Sequence, residues 1–320
     1  MKNFYGRVAV ITGAGSGFGR EFALMGASLG MKLVLADVME APLAETVAML
    51  KEKNADTEVV SMRCDVSVAA EIDALAAFAI ARFGVVNVVF NNAGVGSGGL
   101  IWENTVKDWE WVLGVNVWGV IHGVRAFTPL MLAAAKIDAE YEGYIVNTAS
   151  MAGLLSPPLM GAYNVSKHAV VALSETLFQD LIVAQKNDAN DPQKTNGNAQ
   201  QINCSVLCPA FVPTGIAKSH RARPADMQNS EAPTESMVLA QSMTHKAVSS
   251  GKMTAADIAR LTFQAMQENK FYIFTHPKIM ASVQMRLDDI AAGTNPRDPF
   301  SLKADARPDA RPTIESTKAN

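Results

Sequence analysis

Seven short apolar, β-branched runs recur along the chain, at residues 7–12, 32–37, 58–62, 85–90, 144–149, 202–207 and 271–275. Stretches of helical length lie between most of them, at 17–29, 40–53, 67–83, 106–135 and 161–186. Strands covered on both faces read as continuous apolar runs, and parallel neighbours need a crossover that is usually a helix. The alternation therefore predicts a doubly wound α/β fold: a parallel sheet of about seven strands with helices on both faces. With 320 residues, 49% of them hydrophobic, the chain can bury one large core. A single domain over 1–293 is expected.

Three regions break the rhythm. Residues 185–201 are Asn/Gln-rich with Pro and Gly, and read as a solvated excursion. Residues 213–255 hold Pro, Met and helical stretches but no strand pattern, and a connection of that length suits a lid over a site. Residues 294–320 are rich in Pro and charge, an extension that is either disordered or ordered by packing on another subunit.

The formal net charge is −3, with basic residues scattered, so neither nucleic acid nor a membrane surface is an expected partner. No apolar run reaches the length of about 18 residues that spans a bilayer, and no signal region opens the chain, so a soluble cytoplasmic protein is expected. Cys64, Cys204 and Cys208 form no C-x-x-C pair and read as buried free thiols of a reducing compartment. The five histidines show no metal-ligand spacing, and no metal is assigned.

The first run leads directly into "TGAGSGFGREFALMGASLG", placing Gly13, Ser16, Gly17, Phe18 and Gly19 in a turn that opens a helix. Glycines there let a pyrophosphate approach the backbone and the free N–H groups of the helix start. Strand before and helix after make this more than a glycine-rich turn. The second run ends in Asp37, placed to accept hydrogen bonds from an adenosine ribose. Its carboxylate repels the extra phosphate of NADP, and Val38 and Met39 offer that phosphate no cation, so NAD is favoured.

In "GAYNVSKHAVVAL" Tyr163 and Lys167 stand four apart, one above the other on a helix. Alone, that spacing fits a surface pair. It also permits a phenol whose pKa, ordinarily about 10, is drawn toward neutrality by a fixed cation so that it can exchange protons. Ser150, thirteen residues earlier, could hold a substrate oxygen or simply cap a turn. Asn116, polar within an apolar helix, could position a water linking Lys167 to solvent or could bend the helix.

Taken together, these residues resemble the short-chain dehydrogenase/reductase superfamily, in its shorter-chain alcohol dehydrogenase branch with a C-terminal extension. The family's T-G-x-x-x-G-x-G stands at Thr12 to Gly19, and its N-N-A-G, which includes Asn92, at Asn91 to Gly94. The resemblance implies a Rossmann-like fold and a catalytic tetrad of Asn116, Ser150, Tyr163 and Lys167. It also implies adenine contacts from Asp65 and Val66, and nicotinamide contacts from Pro209, Val212 and Thr214, with Tyr163 and Lys167 meeting the cofactor too. One motif departs: the family's P-G-x-V-x-T reads "PAFVPT", with Ala210 in the glycine position.

The resemblance implies NAD-dependent interconversion of a secondary alcohol and its ketone. Leu154, Leu155, Pro157, Pro158, Leu159 and Met160, with the Met-containing 213–255 region, suggest an apolar substrate pocket, although each could equally be core. A dinucleotide-binding scaffold without chemistry and a lyase or isomerase on the same groups are the competing readings; the intact tetrad weighs against the scaffold. A homodimer or homotetramer, paired through 106–135 and 161–186, follows from the family.

Overall fold

The computed structural model describes residues 1–187 and 201–302; most of the Asn/Gln-rich excursion and most of the C-terminal extension lie outside the described residues. The seven runs form β1 (Val8–Thr12), β2 (Lys32–Asp37), β3 (Val59–Arg63), β4 (Val88–Asn91), β5 (Gly143–Thr148), β6 (Ile202–Cys208) and β7 (Tyr272–Phe274). All pair in parallel, in the order β3-β2-β1-β4-β5-β6-β7. The helices are α1 (Gly17–Ser28), α2 (Glu40–Lys53), α3 (Ala69–Phe83), α4 (Val106–Leu113), α5 (Gly119–Ile137), α6 (Gly161–Asn187), α7 (Glu235–Ser249), α8 (Ala255–Gln267) and α9 (Met280–Ala292). The backbone divides into two compact units, Met1–His276 and Pro277 onward. The second unit contains α9, where Asp289 pairs with Arg297 at 2.7 Å.

Alternation along each strand divides the first unit's core into two layers. Ala9, Ile11, Leu33, Leu35, Val88 and Phe90 pack with Phe22 of α1 and Ile258 and Phe263 of α8. Val8, Val10, Val34, Val89 and Ile145 pack with Ile72 and Leu75 of α3, Phe127 and Met131 of α5, and Leu177 of α6. The strand order reverses between β1 and β4, and ligands of open α/β sheets bind beyond the carboxyl ends of the strands at such a reversal. Gly13, Asp65, Asn92, Ser150 and Pro209 all lie just past those ends, and Asp37 is the last residue of its strand.

Two expectations about the 106–135 segment need correction. It is not one α-helix: a π-helical turn, Gly114–Trp118, separates α4 from α5. The continuous helical run Val106–Ile137 is also long and apolar enough, by length and composition, to cross a membrane. Its apolarity comes from two faces rather than one. Val120, Phe127 and Met131 are buried against the sheet, while Trp118 and Leu130 remain exposed.

Candidate active site

The glycine turn has the shape a dinucleotide phosphate requires. Gly13 and Gly17 adopt left-handed φ values of 65° and 54°, which side chains other than glycine rarely tolerate. A Cβ on Gly13 would lie 2.8 Å from Ala93 Cα, and one on Gly19 would run into the Gly13 carbonyl. Ser16, the N-cap of α1, makes no side-chain capping bond, and the first turn carries no acidic residue. The helix start is therefore open to an anion.

Asp37 is aimed at this turn by backbone donors. Gly15 N–H reaches Oδ2 at 2.8 Å, and Met39 N–H reaches Oδ1 at 2.9 Å. Burial raises its pKa, opposed by those bonds and by the nearby Arg20. Arg20 itself is committed to the carbonyls of Gly15 and Pro42, to Thr46 and to Glu45. Asp65 accepts from the Ser67 backbone N–H and hydroxyl in an Asx turn, at 2.9 and 2.7 Å, while the buried Val66 packs against Gly119. Asn92 ties together the ends of β1, β4 and β5: its amide donates to the Thr12 carbonyl at 3.0 Å and accepts from Thr148 at 3.3 Å.

Tyr163, Lys167, Ser150 and Asn116 converge beside this cleft. Lys167, 3% exposed, donates through Nζ to the Thr148 carbonyl at 2.9 Å, and Nζ lies 5.7 Å from the centre of the Tyr163 ring. The Ser150 hydroxyl donates to the Pro209 carbonyl at 3.4 Å, and its side chain favours the ionised phenol of Tyr163. It also accepts from Ala152 N–H at 3.1 Å, so the serine caps its short 3-10 turn and faces the tyrosine at once. Asn116 is fully buried in the π turn. Its side chain accepts from Val95 N–H at 2.8 Å and donates to the Val95 carbonyl and to Ser166 Oγ, both at 3.0 Å. Both amide hydrogens are thereby taken, while the amide oxygen keeps one acceptor site. Ser166, bridging Asn116 to the Tyr163 carbonyl at 2.8 Å, and Thr148 carry no sequence signal that marks them.

A family model described as short chain dehydrogenase matches residues 7–225. The chain belongs to the short-chain dehydrogenase family. A short-chain dehydrogenase/reductase from Burkholderia phymatum, solved in complex with NAD, superposes with a TM-score of 0.85 at 54% identity, covering 94% of this chain and all of that one. A "CLA biosynthesis dehydrogenase/reductase" of Lactiplantibacillus plantarum is 32% identical over 299 residues, 92% of this chain and 97% of its own. A "C alpha-dehydrogenase" of Sphingobium sp. is 28% identical over 305 residues, 93% and 90%.

The dehydrogenase's electrostatics differ from expectation at one residue. The tyrosine is not drawn toward neutrality by the lysine: burial raises the Tyr163 pKa against the Ser150 side chain, which lowers it. The same burial pushes Lys167 down to about 8, and the carbonyl of Thr148 to which Nζ donates is neutral. Between about pH 8 and its ordinary 10.5, folded Lys167 is deprotonated while the unfolded chain still binds the proton. Stability therefore gains from this group as pH rises through that window. The expected result is that the stability of wild type relative to Lys167→Met rises from pH 8 to 10, measured by urea unfolding at each pH.

The segment after β6 is closely placed on the site. Ala210 has no positive φ, so its methyl is accepted without the left-handed strain that would demand glycine. The Pro209 carbonyl takes Met151 N–H at 2.9 Å, and Val212 is buried in the core. Thr214 lies against Gly17: a Cβ there would come within 3.3 Å of Thr214 Cβ. The apolar loop before α6 divides into two groups. Leu155 is core, whereas Leu154, Pro157, Leu159 and Met160 are partly exposed and Pro158 is exposed. Leu159 holds a φ of 63°, a strained value for a bulky residue, with its carbonyl bound to Gly99 N–H at 2.9 Å.

Residues 213–255 are pinned to α4. Asp108 and Arg223, with side chains 9% and 10% exposed, meet at 2.6 Å. Asn229 donates to both Asp108 oxygens, and Arg223 lies over Trp111 at 5.1 Å. Burial pushes the Asp108 carboxyl up, but bonds from Arg223, the Thr105 backbone, Asn229 and the Thr105 hydroxyl outweigh it and leave the group below the ordinary carboxylate range.

Proposed function

We propose that the protein is an NAD-dependent oxidoreductase that interconverts a hydrophobic secondary alcohol and its ketone. The observation that carries this is the convergence of Ser150, Tyr163 and Lys167 beside the glycine turn. When bound, NAD supplies the hydride acceptor. Gly13, Ser16, Gly17, Phe18 and Gly19 hold its pyrophosphate, Asp37 its adenosine ribose, and Asp65 and Val66 its adenine. Asn92, Pro209, Val212 and Thr214 shape the nicotinamide end. Ser150 holds the substrate oxygen, Tyr163 takes its proton, and Lys167, anchored on Thr148, holds its charge beside the phenol and meets the nicotinamide ribose. Asn116 braces the π turn against Val95 and Ser166.

Three features support an apolar substrate: the partly exposed Leu154, Leu159 and Met160, the Met237 side chain against Gly99, and relatives named for a C alpha-dehydrogenase and for CLA biosynthesis. The exposed apolar residues Trp118 and Leu130 of the 106–137 run and Val165 and Val183 of α6 support a homodimer or homotetramer paired through these helices. Three buried free cysteines, each with its pKa pushed by burial up to about 12, suit a reducing cytoplasm. The test is reduced-nicotinamide absorbance with NAD and a panel of aryl, long-chain and alicyclic secondary alcohols. Turnover on at least one bulky apolar class is expected. Measured NAD binding with no turnover across the panel would favour a scaffold role.

A further inference from the structure

The segment between β6 and α7 touches the site at three separate places. Thr214 rests against Gly17 at the start of α1. The Ser219 hydroxyl accepts from Gly96 N–H at 2.9 Å, and Arg223 is paired in the buried cluster with Asp108. Residues 214–223 are therefore held at three points, with Thr214 on the glycine turn, Ser219 on Gly96 and Arg223 on α4. Arg221 sits inside this held stretch.

Its guanidinium is folded back toward the glycine turn. A Cβ placed on Gly215 would lie 3.7 Å from Arg221 Nη2 and 3.5 Å from Ser16 Oγ, so the cation and the N-cap hydroxyl of α1 flank one point. Arg221 is exposed, its one hydrogen bond is a 3.3 Å contact from Nε to the Lys218 carbonyl, and among the described residues it forms no ion pair. Arg20, which also lies near the turn, is already bound to carbonyls and Glu45. Ser16 leaves the α1 N–H groups without a side-chain cap. A positive helix start, a free hydroxyl and an uncommitted guanidinium thus face the same space, and a guanidinium fork matches phosphate oxygens two at a time.

We propose that Arg221 is a cofactor-binding residue carried by the lid, clamping the pyrophosphate of the dinucleotide from the side opposite the glycine turn. This rests on the NAD reading of that turn. The glycine turn provides backbone donors and the helix dipole, and Arg221 adds a full positive charge that, unlike that of Arg20, is not already bound to carbonyls and a carboxylate. Because the 214–223 stretch is held at Gly17, Gly96 and Asp108, little backbone ordering remains to be done on binding, and the Arg221 side chain is the part that must be fixed.

The test uses the full chain and binding alone: NADH by fluorescence titration, and ADP-ribose and adenosine by calorimetry, on wild type, Arg221→Gln, Arg221→Lys and Arg260→Gln. Arg260 is a surface arginine of α8 paired with Asp257, and its loss controls for net charge. Arg221→Gln is expected to weaken NADH and ADP-ribose about tenfold or more while changing adenosine less than about twofold. Arg221→Lys should fall between wild type and Arg221→Gln, and Arg260→Gln should match wild type. The clamp is overturned if Arg221→Gln binds NADH and ADP-ribose like wild type, if adenosine weakens equally, or if Arg260→Gln weakens as much. A wild-type chain that binds no NADH overturns the NAD reading itself, and the clamp with it.

Discussion

Tyr163→Phe is expected to lower kcat for alcohol oxidation by about 10²- to 10⁴-fold, the range a positioned proton-transfer group supplies. NADH affinity should change by less than about twofold, well under the factor of ten that 1.4 kcal/mol represents. The variant keeps the ring, whose centre lies 5.7 Å from Lys167 Nζ, and loses only the hydroxyl whose ionised form Ser150 favours. Because burial raises the Tyr163 pKa, activity in the oxidative direction should climb with pH in wild type as the phenol becomes easier to deprotonate. The residual activity of Tyr163→Phe should lose that dependence. Near-normal turnover in the variant would remove Tyr163 from the mechanism.

Arg223→Met is expected to destabilise the protein by about 3–5 kcal/mol, because it leaves the Asp108 carboxylate buried without its cation. Asp108→Ala deletes a second function as well. Asp108 completes the capping box of α4, with Oδ2 accepting from Thr105 N–H at 2.8 Å while its own N–H reaches Thr105 Oγ1. Loss of the box adds about 1 kcal/mol. The pH dependence has a definite sign. Asp108 is held below the ordinary carboxylate range when folded, so its contribution is present above the unfolded-chain pKa and is lost as pH falls through the folded one. The gap between wild type and Arg223→Met should therefore narrow on acidification. Urea unfolding at neutral and acid pH measures it, and a gap independent of pH would show that the pair does not carry the stability.

The sheet was legible because its inner strands β1, β2, β4, β5 and β6 are buried on both faces and keep their apolar signature without their neighbours, while the edge strands β3 and β7 are partly exposed but still β-branched or aromatic. The same holds for Gly13, Gly17 and Gly19, whose spacing reflects local backbone geometry. What the sequence does not reveal depends on contacts distant along the chain. Thr148 anchors Lys167 with its backbone carbonyl, and any residue presents a carbonyl. Asp108 and Arg223 are ordinary surface charges by composition and become a buried pair only when residues 115 positions apart meet. The π turn at Gly114–Trp118 is likewise hidden in the sequence, since the apolar residues of this segment lie on two faces and leave no single stripe whose phase would show the shift. The direction of the Tyr163 shift is hidden from the sequence for a related reason. Spacing reports that a cation is near, but burial, which dominates the shift, depends on the assembled site.

The most direct measurement follows a label. A secondary alcohol that the protein oxidises is prepared with deuterium on the carbinol carbon and incubated with NAD, and the NADH and ketone formed are both quantified by mass spectrometry. Hydride transfer predicts one deuterium in NADH for each ketone produced. Product formed without NADH, or NADH formed without the label, would contradict it.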